Sequence, residues 1–114
     1  MIRKLLIDTL EKFGYPVILQ GSMSEDEPYP DSFLTYYILD SSDHEHFDGE
    51  PVGVEWALFV AFYTNDPELL DSVPGEIYEA MRAAGFIPQG RGHDTASDEP
   101  THQGWVNEYY YLEF

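Results

Sequence analysis

The stretch that decides the fold reads Val54-Glu55-Trp56-Ala57-Leu58-Phe59-Val60-Ala61-Phe62-Tyr63-Thr64, and it is followed by Asn65-Asp66-Pro67-Glu68. Its larger apolar residues occupy every second position, and a second, less apolar set occupies the positions between them. The first set is Val54, Trp56, Leu58, Val60 and Phe62, and the second is Ala57, Phe59, Ala61 and Tyr63. Because side chains alternate across a strand, this pattern predicts a long strand that is covered on both faces and is central in its sheet.

The residues after this strand predict a helix. Asp66-Pro67-Glu68 suits an N-cap, a first helical position and an acidic first turn. An apolar stripe at helical spacing then continues until Gly85, which is a typical stop signal. Pro74 lies inside that stripe, and a proline in a helix interior costs roughly 3 kcal/mol. We therefore expect a short first turn at residues 67–72 and a main helix that begins at about Pro74.

One more helix and four more strands are expected around this centre. The helix is at residues 2–13, the strands are at 15–20, 33–39, 86–92 and 105–114, and polar loops occupy 21–32, 41–51 and 94–103. The fold class is therefore α+β, with the order α-β-β-β-α-β-β and a mainly antiparallel sheet with two helices packed on one face. At 114 residues the chain is expected to be a single domain, 1–114.

The strand at 86–92 has the composition of a sheet edge. It contains Pro88, Gly90 and Gly92, and proline and glycine within a strand indicate an edge or a bulge. Gly90-Arg91-Gly92 is too short for a phosphate loop and no helix is expected after it.

Composition excludes several classes of protein. Cysteine is absent, so disulfides, zinc-thiolate sites and thiol nucleophiles are excluded. No run approaches the ~18 apolar residues of a membrane span. The first residues start with positive charge, but Asp8 interrupts an apolar run that is already too short for a signal peptide. We expect a soluble, unsecreted domain with no membrane partner.

The net charge of −17 is the compositional outlier, and no lysine or arginine lies between Phe13 and Met81. Nucleic acids and anionic membranes are attracted by basic patches, so no sequence-specific nucleic acid partner is expected. Three interpretations of the acidity remain open. The negative charge could keep an aromatic-rich protein soluble, bind a basic partner, or mimic DNA.

Candidate chemistry is sparse, and we predict no enzyme and no cofactor. The His-x-His of Asp43-His44-Glu45-His46, with Asp48 or Glu50 nearby, has the donors that zinc or manganese binds. The segment is predicted to be a loop, however, and no second cluster at a recognised spacing accompanies it. A solvated loop is the other interpretation. The remaining histidines have no serine nucleophile on a defined turn beside them, which a catalytic triad needs.

Two further stretches are distinctive as sequence. One reads Phe13-Gly14-Tyr15-Pro16-Val17-Ile18-Leu19-Gln20-Gly21-Ser22 and runs into Glu25-Asp26-Glu27-Pro28-Tyr29-Pro30-Asp31-Ser32-Phe33. The other reads Ala83-Ala84-Gly85-Phe86, then Gly90-x-Gly92-x-Asp94-x-Ala96-Ser97-Asp98-Glu99-Pro100-Thr101-His102-x-Gly104. With the central strand between them, the chain resembles, over nearly its whole length, the minor tail and head-tail connector proteins of tailed phages and prophages.

The resemblance implies a tail-completion or tail-terminator role. Such subunits form a ring, usually six-fold, that caps the tail tube and joins it to the head. The implied partners are further copies of the chain, tail-tube proteins and head-tail connector proteins. The implied location is the host cytoplasm during assembly and the virion afterwards.

The resemblance carries over no catalytic, cofactor-binding or metal-binding residue. It implies only contact surfaces in two loops, with the candidate interface residues Glu25, Asp26, Glu27, Pro28, Tyr29, Pro30, Asp31, Asp98, Glu99, Pro100 and His102. The alternative function is an acidic protein-binding module or inhibitor that occupies a basic surface of a host protein.

Overall fold

The structure, a computed structural model, describes residues 2–23, 27–47 and 50–114, and its description of side chains also leaves out residues 44–47 and 50–52. The described elements are α1 (Ile2–Glu11), β1 (Val17–Leu19), β2 (Ser32–Phe47), β3 (Glu50–Thr64), α2 (Pro67–Ala83), β4 (Ile87–Pro88), β5 (His93–Thr95) and β6 (Gln103–Glu113). The predicted α+β class is confirmed. The order of elements agrees with the prediction except that β5 is an additional strand.

The strands form one mixed sheet in the order β1-β2-β3-β6-β4, and β5 also pairs with β6. β1 runs parallel to β2, and the other pairings are antiparallel. β3 lies between the two other long strands, so Phe62 has Leu34 on one side and Trp105 on the other. The predicted central position of this strand is confirmed.

Strand alternation and register divide the sheet residues between two faces. The first face carries Leu34, Leu58, Val60, Phe62 and Tyr109, which share one buried core cluster with Ile2, Leu6 and Leu10 of α1 and Val73, Ile77 and Met81 of α2. The second face carries the opposite parity: Phe33, Thr35 and Tyr37 of β2, Ala57, Phe59, Ala61 and Tyr63 of β3, and Gly104, Val106, Glu108 and Tyr110 of β6.

The start and end of α2 agree with the prediction. Asp66 caps the helix by accepting a hydrogen bond of 3.0 Å from the N–H of Glu68, and Pro67 is the first helical residue. At the other end Gly85 has φ 98°, and the N–H of Phe86 donates to the Met81 carbonyl at 3.0 Å. This hydrogen bond and the left-handed glycine form the helix stop expected from the sequence.

The prediction that Pro74 splits this helix is wrong, because α2 is continuous from Pro67 to Ala83. Val73, Ile77 and Met81 lie around the proline and are all buried. Burial of one such side chain contributes about 1.5–3 kcal/mol. The packing of this stripe against the core therefore offsets the roughly 3 kcal/mol that an internal proline costs.

The predicted hairpin loop at residues 41–51 is also wrong. β2 and β3 pair from Ser32 opposite Thr64 out to Phe47 opposite Glu50, with one register shift between Ile38 and Asp40. β6 ends opposite Val54, so residues 44–47 and 50–53 form a two-stranded hairpin arm beyond it. Two strands that bond only to each other need no apolar face, so their sequence lacks the alternation that predicts a strand. The molecule is elongated, with extents of 54 × 29 × 22 Å.

The edge beside β6 agrees with one prediction and corrects another. The strand predicted at 86–92 lies at the sheet edge as expected, but it is shorter than predicted, because β4 covers only Ile87–Pro88 and the glycines lie in the turn after it. The predicted loop at 94–103 is wrong in its first residues, since β5 pairs there with β6. Its residues His93-Asp94-Thr95 are polar and carry no apolar signal. Between β4 and β5 the chain turns through Gly90 and Gly92, whose φ values are 88° and 97°.

Candidate functional site

Two loops, residues 27–31 and 96–102, fold together over one end of the second face, and we call them the loop lid. His102 joins them, because its Nε2 donates a hydrogen bond of 2.8 Å to the carbonyl oxygen of Pro30. Its Nδ1 accepts from the Thr101 hydroxyl at 3.0 Å. The His102 side chain is buried. Both ring nitrogens thus have partners, and the ring is a structural link between the loops.

Aromatic rings fill the space beneath the lid. The Phe33 ring stacks on Tyr63 with centroids 5.2 Å apart, and the Tyr29 ring meets its edge at 5.5 Å. The His102 ring lies 5.7 Å from Tyr29 and 6.0 Å from Phe33. A Cβ at Gly104 would lie 2.6 Å from Cε1 of Tyr63, so only a glycine there lets the tyrosine cross β6.

The structure brings together the two loops in which the sequence placed candidate interface residues. Glu25 and Asp26 lie outside the described residues. The exposed members of the set are Glu27, Pro28, Asp31, Asp98, Glu99 and Pro100, whereas Tyr29 and Pro30 are half-buried and His102 is buried. Contact of this surface with a partner stays a prediction. Sequence reasoning missed Phe33, Tyr63 and Gly104, whose relation depends on cross-strand register.

A recess of about 160 Å³ opens between the loop lid and the end of β1. Its apolar walls include Ile18, Met23 and Phe33, and Asp98 is the one charged residue among the described lining residues. Thr35 also lines it, with 5% of its surface exposed, and the Thr35 hydroxyl has no hydrogen-bond partner. Buried hydroxyls are nearly always hydrogen-bonded, but this oxygen has less than 1 Å² of accessible surface, so it lies behind the wall of the recess and not at its surface.

The Tyr63 hydroxyl reports the electrostatics of the same region. Burial raises its pKa above the ordinary tyrosine value, and a hydrogen bond to Thr95 acts in the opposite direction. The negative charge of Asp98 raises this pKa further. The environment beneath the lid therefore disfavours an added negative charge.

The other half of the second face is open, and we call Tyr37, Phe59, Ile87, Val106 and Tyr110 the open half. Tyr37 is 46% exposed, Ile87 47% and Tyr110 48%. The Tyr37 and Phe59 rings stack at 5.8 Å. The buried apolar residues of α1 and α2 belong to the core cluster that also contains Leu58, Val60 and Phe62. Exposed Glu108 lies on the same face, opposite Phe59 and between Val106 and Tyr110, so the open half is an exposed apolar surface with one carboxylate in it. Exposed apolar surface of this kind is typical of a contact surface.

Four of the five basic residues lie on or next to the helices, and the fifth, Arg91, borders a recess that Phe59 and Val106 of the second face also line. Arg3, Lys4 and Lys12 are on or next to α1, where the Lys4 ammonium pairs with the Asp8 carboxylate at 2.6 Å. Arg82 and Arg91 both lie over the Tyr78 ring of α2, at 5.7 and 4.1 Å from its centroid. The second face and the lid carry exposed Glu108, Asp98 and Glu99 instead.

Nothing in the described residues forms a metal site, since no group of three or more His, Asp or Glu side chains there could hold an ion. The side chains of His44 and His46 lie outside the described residues, so the metal alternative at Asp43–His46 stays a prediction. Neither helix of the described part is long and apolar enough to cross a membrane.

Comparison with known protein families finds none that matches the chain, and comparison with curated proteins finds no significant relative.

Proposed function

We propose that this chain is a structural subunit of a tailed-phage or prophage particle, of the tail-completion or tail-terminator type, which caps the tail tube and joins it to the head. The observation that carries the proposal is the open half of the second face. Three large side chains there, Tyr37, Ile87 and Tyr110, are 46–48% exposed on the sheet. A subunit that works by contact needs such a surface, and apolar aromatic patches are typical of protein interfaces.

The layered arrangement is part of the proposal. Both helices lie on one face of a mainly antiparallel sheet, which leaves the second face for partners. Support comes from the single core cluster that contains buried residues of both helices, for example Leu6 and Ile77, together with Leu58 of β3. The hairpin arm extends beyond the end of β6, so in the proposed assembly it can contact a partner that the rest of the sheet does not touch.

The proposed partners are further copies of the chain in a ring, six-fold by resemblance, and the tail-tube and head-tail connector proteins. Assembly begins in the host cytoplasm and the subunit remains in the virion. The sequence resemblance supports these identities. The acidic net charge of −17 favours assembly onto a template over spontaneous ring formation, because like charges on identical subunits repel one another.

A second candidate function is an acidic binding module that occupies a basic surface of a host protein. The distribution of charge favours it. The positive charges of Arg82 and Arg91 lie over Tyr78, while the lid and second face expose Asp98, Glu99 and Glu108. An acidic surface with exposed aromatics complements a partner that carries lysine or arginine among apolar residues.

Deletion of the gene from its phage or prophage, followed by negative-stain microscopy of the particles, tests the first function. We expect tails of uncontrolled length, or heads and tails that are left unjoined. Normal virions would contradict the proposal and leave the acidic binding module as the function to pursue.

Complementation with point variants then tests the open half itself. Tyr110→Asp replaces one of the three large exposed apolar side chains with a second carboxylate beside Glu108 and is expected to abolish complementation. Ser72→Asp adds the same charge on the exposed surface of α2 and is expected to restore normal particles. Both variants must first be shown to fold, by circular dichroism and urea denaturation. Full complementation by folded Tyr110→Asp would show that this surface is not the contact.

A further inference from the structure

We propose that the outer edge of β2, at residues 37–43, binds an extended segment of a partner protein that carries lysine or arginine and pairs with β2 as an additional strand. The inference rests on the proposed function in one respect, that the chain works by contact with another protein. It goes further by assigning a main-chain contact at a sheet edge and by naming the conformation and the charge of the partner segment.

This edge is unpaired over most of the length of β2. β1 covers only Leu34, Thr35 and Tyr36 of β2, and the chain then turns away at Gly21, whose φ is 82°. β2 itself continues to Phe47. In the part of the chain that the structure describes, no other strand pairs with β2 on this side. Residues 37–43 alone span roughly 23 Å, which is longer than a typical strand of about five or six residues.

The register shows which backbone groups face outward. The Leu34 N–H donates to the Pro16 carbonyl at 2.8 Å, so Leu34 and every second residue after it face outward as far as Ile38. The register shift that follows Ile38 moves the outward positions to Ser41 and Asp43. Among the described residues, no backbone group pairs with the outward N–H and C=O groups of these three positions. Such groups are the ones that a strand from another chain binds.

The opposite edge of the sheet is protected against such pairing. β4 contains only two residues, and Pro88 is one of them. Short strands and prolines commonly prevent a sheet edge from pairing with another chain. Residues 37–43 contain neither proline nor lysine, and the bulge beside Leu39 interrupts their pairing with β3 only once. Tyr37 and Leu39 are each 46% exposed, and residues 40–43 are exposed as well. The edge of β2 is therefore open to an extended partner.

The charge of the edge decides between a second copy of the chain and a different protein. Asp40 lies opposite Ala57 on the second face, and Asp43 lies opposite Val54 on the first, so β2 presents one exposed carboxylate on each face. β1, β2 and β3 contain no lysine or arginine. A second copy would bring the same carboxylates to the edge, and like charges across paired strands destabilise the pairing. Lysine or arginine in the added strand supplies the opposite charge, which stabilises it.

Hydrogen exchange tests the inference, measured by two-dimensional NMR on the ¹⁵N-labelled full chain with the peptide acetyl-Thr-Lys-Val-Val-Lys-Thr-amide as the probe. Its two lysines are three positions apart, so they lie on opposite faces of a strand, as Asp40 and Asp43 do. With peptide at about ten times its dissociation constant, we expect the amides of Ile38, Ser41 and Asp43 to exchange roughly tenfold more slowly, because they exchange only from the free state.

Two altered peptides separate main-chain pairing from charge. The first has glutamate in place of both lysines, and it is expected to bind at least about fivefold more weakly. The second keeps both lysines but carries a methyl group on every backbone nitrogen. It retains the charge and cannot donate main-chain hydrogen bonds, so we expect it to give no protection at the edge of β2.

Variants of the chain test the same contact from the other side. The Ser41 N–H points outward, so Ser41→Pro leaves the pairing with β3 in place and blocks an added strand. We expect it to abolish peptide binding, whereas Ser41→Thr, the matched control, keeps the N–H and the affinity. Asp40→Asn and Asp43→Asn are each expected to weaken binding about threefold. Asp71→Asn, on the exposed surface of α2, is their control and is expected to leave binding unchanged.

Unchanged exchange at Ile38, Ser41 and Asp43, or equal binding of the N-methylated peptide, would overturn the inference. Equal binding of the glutamate peptide would overturn the choice of a basic partner. Sedimentation of the chain without peptide tests the other occupant, since a dimer that Ser41→Pro dissociates would assign the edge to a second copy and overturn the proposal. Gene deletion that leaves normal virions would refute the phage role while peptide protection of β2 still stood, so the two failures are distinguishable.

Discussion

Replacement of His102 by phenylalanine tests whether hydrogen bonds or ring packing hold the loop lid together. The phenylalanine keeps an aromatic ring against Tyr29 and Phe33. It removes the Nε2 donor that lies 2.8 Å from the Pro30 carbonyl, and it removes the Nδ1 acceptor used by the Thr101 hydroxyl. The ring contact is conserved, so the difference in stability isolates the two hydrogen bonds.

The expected loss is about 1–2 kcal/mol in the free energy of unfolding. One net hydrogen bond contributes about 0.5–1.5 kcal/mol, and a partner left unsatisfied inside the protein adds to the loss. His102→Ala also removes the ring, and a loss of about 3 kcal/mol is expected for it. With an m-value of roughly 1.5 kcal/mol/M, the phenylalanine variant should lower the urea midpoint by about 1 M.

Urea denaturation followed by circular dichroism measures this loss, and limited proteolysis shows where the chain opens. We expect faster cleavage within residues 96–101 in His102→Phe. The control is His93→Phe, which also loses a ring hydrogen bond, from Nδ1 to the Asp94 carbonyl at 2.8 Å, but an exposed one, so its effect should stay within about 0.5 kcal/mol. A His102→Phe midpoint equal to that of the unmodified chain, with unchanged cleavage, would refute the reasoning that this histidine links the two loops.

Three further predictions follow from other contacts. Gly104→Ala places a methyl group against the Tyr63 ring, so we expect a loss of about 1–3 kcal/mol in urea denaturation, and no loss would show that the ring is free to move. Asp66→Ala removes the helix cap and should cost about 1 kcal/mol, whereas the exposed control Asp71→Ala should change stability by less than about 0.5 kcal/mol. Burial raises the pKa of Tyr109 to about 12, above the ordinary value near 10, so its contribution to stability is complete below pH 10 and falls by about 2–3 kcal/mol as the pH rises through 12. Urea midpoints between pH 8 and 12 measure that fall, and an equally steep fall in Tyr109→Phe would contradict the assignment.

The sequence predicted those elements whose signals are local and strong. β3 has apolar residues on both faces, and α2 has a cap at Asp66 and a stop at Gly85, so the types of both elements, the two ends of α2 and the end of β3 at Thr64 could be identified. The start of β3 at Glu50 could not, since it was predicted at Val54. The hairpin arm could not be predicted, because strands paired only with each other show no apolar alternation. β5 could not be predicted either, since its pairing with β6 depends on an edge that only the assembled sheet provides.

The sequence identified the two loops of the candidate site, but it did not predict that they lie together on one surface. The sequence singled out residues on both loops, and the structure shows that they meet through His102 and Pro30. That contact joins positions 72 residues apart, and no local pattern reports such a pairing. The buried role of His102, the recess at Thr35 and the open half all depend on which strand residues lie opposite one another. The register between strands is set by the assembled sheet, so these features could not be predicted from the sequence alone.

Site-specific photo-crosslinking in assembled particles tests the central claim most directly, namely that the open half of the second face is a protein contact. A photoreactive benzophenone amino acid is introduced at Tyr110, on the open half, and separately at Glu79, on the exposed surface of α2. We predict that position 110 crosslinks to a neighbouring subunit or tail protein and that position 79 does not. Incorporation into particles without any crosslink from position 110, or equal crosslinking from position 79, would contradict the account.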